Sequence, residues 1–118
     1  MKKVYHLSTC STCQRILKEW GLDDTVELQD IKTHPMSAEQ VDQMIRLAGS
    51  AESLFSRRAM KYKSMGLADK NLGEADYRQL IIDEYTFLKR PVLILDDQIF
   101  VGNSKKTVEQ AKLALQQS

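Results

Sequence analysis

The chain has 118 residues, with 17 Lys+Arg against 16 Asp+Glu, a formal net charge of +1, 42% hydrophobic and 28% charged residues. That length predicts one compact domain over residues 1–118, able to bury a core without disulfide staples, and the composition excludes disorder. The charge balance gives no electrostatic case for nucleic acid or an anionic membrane as the main partner, and no apolar run approaches the roughly 20 residues needed to span a bilayer. The charged start, Met1-Lys2-Lys3, is followed by no apolar signal stretch, so the expected compartment is the cytosol.

In chain order, Lys3 to Leu7 is an apolar, β-prone run and reads as a first strand, with Ser8 to Thr12 a polar loop. From Cys13 onward, Ile16, Leu17 and Trp20 recur at helical spacing and Gly21 supplies a stop. Val26 to Ile31 alternates apolar and polar, the period of a half-buried strand. After the loop Thr33 to Met36, Ser37 with Gln40 forms a capping box. Val41, Met44, Ile45 and Ala48 then make the buried face of a helix that Gly49 ends. Ser50 to Leu67 reads as one or two short helices, and Asp76 to Leu88 as the longest amphipathic stretch.

Pro91 to Leu95 is nearly all apolar and reads as a buried strand; the turn signal Asp96-Asp97 joins it in a hairpin to Gln98–Val101. Gly102-Asn103-Ser104 breaks the chain before a last helix from about Lys105 to Leu115, with Val108, Ala111, Leu113 and Leu115 as packing residues. Trp20, Tyr77, Tyr85, Phe87 and Phe100 are read as packing aromatics. The early β-α-β alternation predicts parallel pairing through a crossover, and the late hairpin predicts antiparallel pairing. A mixed four-stranded α/β sheet with helices on both faces satisfies both. This is the thioredoxin-like (glutaredoxin-type) plan, with a helical segment inserted before the hairpin.

The chain's two cysteines are Cys10 and Cys13, at the junction of the first strand and first helix. In a reducing compartment such a close pair reads as redox or metal chemistry. A structural zinc site needs about four ligands, and only His6 and His34 could join the pair, so no metal is expected. Backbone N–H groups in a helix's first turn lack intrahelical partners and favour an anion, and Ser11 and Thr12, in the loop that leads into this helix, are expected among the oxyanion-binding residues. A thiolate there is stabilised. Cys10, on the loop side, is the expected nucleophile; Cys13, inside the first turn, is placed to resolve a mixed disulfide.

Arg90-Pro91 opens a buried strand, a position that tolerates proline. Together with the cysteine junction this predicts a structural cis-proline at Pro91, which would bring the preceding backbone against the cysteine loop and hold Arg90 near the thiolate. Arg57-Arg58 is either a solvated face or, if one side chain turns inward, part of an oxyanion clamp with Arg90. His6 alone reads as a strand histidine hydrogen-bonded in the core.

Tyr5-His6-Leu7-Ser8-Thr9-Cys10, Leu54-Phe55-Ser56-Arg57-Arg58, Tyr62 to Leu67 and Lys89-Arg90-Pro91-Val92-Leu93-Ile94 together resemble the arsenate reductase/Spx family of thioredoxin-like proteins, from about residue 3 to residue 110. The resemblance implies that Cys10 attacks arsenate, that His6 helps keep it ionised, and that Arg90 with Arg57 or Arg58 binds the anion. It also implies no bound cofactor, with glutathione, glutaredoxin or thioredoxin as electron donor. Two features depart from the reductase pattern. Gly102-Asn103-Ser104-Lys105-Lys106 stands where the family has a third arginine, and Cys13 stands where glutathione-dependent members have no cysteine. Cys-x-x-Cys occurs in the Spx-like branch, which implies an alternative: a redox-switched regulator that docks on the RNA polymerase α subunit without turnover.

Overall fold

The computed structural model describes residues 1–117. These form two compact units, one of residues 1–35 with the described residues from 90 onward and one of residues 36–89.

The first unit is a four-stranded sheet in the order β2-β1-β3-β4. Strand β1 (Lys2–His6) runs parallel to β2 (Glu27–Asp30) and antiparallel to β3 (Val92–Leu95). Strand β4 (Gln98–Val101) closes the hairpin with β3 through Asp96, which adopts a left-handed φ of 54°. One sheet face carries Val4, Leu93 and Leu95, which pack with Ile16 and Trp20 of helix α1 (Ser11–Trp20) and Val108 and Ala111 of helix α5 (Lys105–Gln117). The Trp20 indole N–H donates to the Val108 carbonyl at 3.1 Å and ties the two helices together. Gly21, at φ 59° and ψ 47°, ends α1 in the left-handed conformation that glycine adopts without steric cost.

Two apolar positions depart from the expected pattern. Leu28 in β2 is 51% exposed. Strand β2 lies at the sheet edge, and the buried residues on this stretch are Val26 and Ile31, which flank the strand. Leu113 of α5 is 57% exposed, while Leu115 is only part-buried against the core.

The second unit is helical. Helix α2 (Ala38–Ala48) starts at a complete capping box: Ser37 Oγ accepts from the Gln40 backbone N–H, and Gln40 Oε1 accepts from the Ser37 N–H, each at 3.1 Å. Residues 52–69 fold as a 3-10 turn (Glu52–Leu54), helix α3 (Met60–Ser64) and a second 3-10 turn (Leu67–Asp69). Helix α4 covers Glu74–Asp83, so the expected Asp76–Leu88 helix starts two residues earlier and stops sooner; α5 is the longest helix described. The break comes at Glu84, whose φ of −142° and ψ of 108° leave the helical region. The following residues bind an extended segment instead: Ser56 N–H donates to Phe87 O at 2.6 Å, and Lys89 N–H to Leu54 O at 2.8 Å. That pairing draws Phe87 onto Phe55, with ring centroids 5.0 Å apart, and Tyr77 packs on the same ring at 4.9 Å. Arg78 of α4 grips Asp42 of α2 through two bonds of 2.6 and 3.1 Å.

Candidate active site

Strand β1 ends at His6, and four residues later the chain enters α1 at Cys10, the N-cap, in extended conformation at φ −95° and ψ 111°. The turn is closed by local bonds. Cys10 N–H donates to Leu7 O at 3.0 Å, Gln14 N–H to Cys10 O at 3.1 Å, and the Gln14 side chain to Leu7 O at 3.2 Å. Helix α1 thus begins at Ser11, not Cys13, which puts Ser11, Thr12 and Cys13 in its first three positions. Their N–H groups have no carbonyl a turn behind them to bond.

Both cysteines are free thiols; Cys10 is half-buried and Cys13 is fully buried. Burial acts to raise the pKa of Cys10, but the backbone amide and thiol of Cys13 and the Arg90 guanidinium outweigh it, and the net shift is downward. Cys13 shows the converse. Burial pushes its thiol up to about 11, against a hydrogen bond from the Leu7 backbone, and the neighbouring Cys10 adds to the rise. A proton shared between these sulfurs therefore belongs on Cys13.

Arg90 is half-buried, and its peptide bond to Pro91 is cis. Its positive charge lowers the pKa of both cysteines. His6 stands opposite Asp30 in the parallel β1–β2 register. Burial lowers its pKa, and the Asp30 charge only partly opposes this. Its Nδ1 is buried and without a hydrogen-bond partner, so the surroundings of the imidazole disfavour its charged form. Arg57 belongs to the 36–89 unit, where it bonds Glu52 Oε2 at 2.7 Å and the Tyr77 hydroxyl at 3.0 Å. Arg58 is exposed in the same unit, its backbone N–H donating to Ser56 Oγ. Among the described residues no group of three or more His, Cys, Asp or Glu could hold a metal ion, and no helix is long and apolar enough to cross a membrane.

Sequence reasoning did not single out Asp30. It lies 20 residues beyond Cys10, and only the parallel register brings it beside the turn that carries the thiol.

The strand order, with a cysteine capping the first helix, defines a thioredoxin-like protein. Comparison with known proteins narrows this. The model of the ArsC family matches residues 5–111, nearly the whole chain. The uncharacterized protein YfgD of Escherichia coli (strain K12) is 28% identical over 111 residues, 90% of this chain and 92% of that one. The solution structure of an arsenate reductase (ArsC) related protein from Brucella melitensis superposes with a TM-score of 0.71 at 24% identity, covering 92% of each chain. The arsenate reductase from Vibrio cholerae gives a TM-score of 0.74 at 17% identity, over 97% of this chain and 96% of that one. The chain belongs to the ArsC family, whose members are thiol-dependent oxidoreductase-like proteins.

Proposed function

We propose that this protein is a cytosolic oxyanion reductase that converts arsenate to arsenite, with Cys10 as nucleophile and Cys13 as resolving thiol. The observation that carries the reading is the opposite perturbation of two thiols three residues apart, one lowered and one raised to about 11. A nucleophile needs the thiolate form at neutral pH, whereas a resolving thiol is best kept protonated until the adduct forms.

In the first step the Cys10 thiolate attacks arsenic(V): an S–As bond forms, the As–O bond to an arsenate hydroxyl breaks, and that hydroxyl takes a proton from solvent and leaves as water. The anion is carried by Arg90 and by the first-turn N–H groups of Ser11 and Thr12. Arg57 is already drawn to Glu52 and Tyr77, so the clamp rests first on Arg90. In the second step the Cys13 sulfur attacks the Cys10 sulfur, and its proton passes to the departing arsenic oxyanion. The S–S bond forms as the S–As bond breaks, with that electron pair staying on arsenic. Two thiols are oxidised by two electrons, and arsenic(V) becomes arsenic(III). Glutathione, glutaredoxin or thioredoxin then supplies two electrons to reopen the disulfide. Glutathione can also take the place of Cys13 as the resolving thiol.

The test measures arsenite formed from arsenate by wild type, Cys10→Ser and Cys13→Ser, with glutathione and glutaredoxin or with thioredoxin and its reductase. Cys10→Ser should abolish turnover with either donor. Cys13→Ser should abolish the thioredoxin-driven reaction and keep the glutathione-driven one. Absence of wild-type turnover with both donors would sink the reading. The alternative, a regulator docked on the RNA polymerase α subunit, shares the cysteine pair but predicts no turnover, so the same measurement separates the two.

A further inference from the structure

We propose that Asp30 is a positioning residue for Cys10: its carboxylate fixes the turn between β1 and α1 that presents the thiol. This rests on the reading of Cys10 as the nucleophile, and it adds a residue from a different strand to the machinery.

Asp30 is the last residue of β2. Its Oδ1 accepts the backbone N–H of Ser8 at 3.2 Å, 22 residues away in sequence, and the backbone N–H of Lys32, also at 3.2 Å. The Lys32 bond is the local turn an Asp makes with its own chain two residues on. The Ser8 bond is not local. It joins one strand's end to the turn two residues before Cys10, whose own closing bond runs from Cys10 N–H to Leu7 O.

The backbone that carries this carboxylate is itself held firmly. Ile31 N–H donates to His6 O at 2.9 Å, carrying the β1–β2 ladder past the end of β2, and His34 N–H donates to Asp30 O at 2.9 Å. A group anchored on both sides by backbone can hold a neighbouring turn in place, as a residue that supports a nucleophile must. The Ser8 hydroxyl contributes most to holding the Asp30 carboxyl down at about 2, against burial, with help from the Ser8 and Lys32 amides and from His6. The carboxylate is therefore an acceptor throughout the physiological range.

Both backbone bonds end on the same oxygen. Asn at position 30 can keep that acceptor while losing the charge, and Ala cannot. Glu keeps the charge but displaces the oxygen by one methylene. The geometry therefore predicts an order that a purely electrostatic role would not give: wild type and Asp30→Asn together, Asp30→Glu and Asp30→Ala worse.

The experiment follows the rate of Cys10 alkylation by iodoacetamide from pH 5 to pH 10, with the modified peptide located by mass spectrometry and folding checked by circular dichroism. No oxyanion is present, so the outcome does not depend on arsenate being the substrate. In the wild type the midpoint should lie below the ordinary thiol value. Asp30→Ala should raise it and slow alkylation at pH 7 about tenfold, the change that one pKa unit produces. Asp30→Glu should move in the same direction, and Asp30→Asn should restore the wild-type profile. If Asp30→Ala does not fold, the Glu and Asn pair carries the comparison. A wild-type midpoint at the ordinary thiol value would overturn the reading of Cys10 on which the proposal depends. A lowered wild-type midpoint that neither Ala nor Glu moves would overturn the role of Asp30 alone.

Discussion

At the scale of single residues, two chemically identical side chains differ because one faces a helix's unpaired amides and a cation while the other lies inside the packed turn. Cys10 meets the Cys13 amide, the Cys13 thiol and Arg90, and its pKa falls despite burial. Cys13 is buried beside a sulfur that carries negative charge, and its pKa rises to about 11. The sign of the pH dependence follows. Cys10 becomes reactive as pH rises through a midpoint below the ordinary thiol value, whereas Cys13 stays protonated and inert until pH nears 11. Arg90→Gln removes the cation, so the Cys10 midpoint should rise by about one unit and the alkylation rate at pH 7 should fall about tenfold. Arg90→Lys keeps a charge but not the planar fork and should fall between the two. Iodoacetamide titration of the three proteins checks this; equal midpoints would show that Arg90 does not set the thiolate.

At the scale of elements, the chain's punctuation is local and its strand faces are not. The capping box of Ser37 and Gln40 and the stops at Gly21 and Gly49 depend on residues within one turn, and each forms where its residue types fall. Glu84 leaves the helix because residues 54–56 offer partners to residues 87–89, a pairing more than 30 positions away that periodicity does not contain. The same holds for Leu28, whose exposure follows from β2 being an edge strand. A local signal predicts a local cost. Ser37→Ala deletes the acceptor for the Gln40 N–H, and loss of such a cap costs about 1 kcal/mol. Chemical denaturation should show that loss as a lower midpoint with an unchanged slope. An unchanged midpoint would mean that water replaces the serine oxygen without penalty.

At the scale of the whole molecule, strand number, the mixed pairing and the cysteine position were legible because each follows from short-range pattern: apolar runs, one turn signal and a cysteine at a strand–helix junction. Asp30 was not, since a parallel register, unlike a hairpin, leaves no mark in the spacing of the two strands. Nor was the engagement of Arg57 by Glu52 and Tyr77, because a basic pair reads alike whether its partner is an anion or a neighbouring carboxylate. A net charge of +1 leaves anion binding to local groups, and the sheet that holds those groups can be weakened without touching them.

Trp20 tests that separation. It sits ten residues beyond Cys10 on the same helix, roughly 15 Å along its axis at 1.5 Å per residue. There it packs in the cluster of Val4, Leu93 and Val108, with its N–H on the Val108 carbonyl. Trp20→Phe removes that bond and part of the buried ring. The Val108 carbonyl lies well inside α5 and keeps its acceptor role within the helix, so no buried polar group is orphaned. The cost should then be the lost hydrogen bond plus a small cavity, about 1–3 kcal/mol. Thermal unfolding should fall by roughly 5–15 °C for a domain of this size. The Cys10 alkylation midpoint should not move, because the amides and the guanidinium that set it lie at the other end of the helix. A variant with lowered thermal stability and a shifted thiol midpoint would show instead that packing at the far end of α1 governs how its N-terminus faces Cys10.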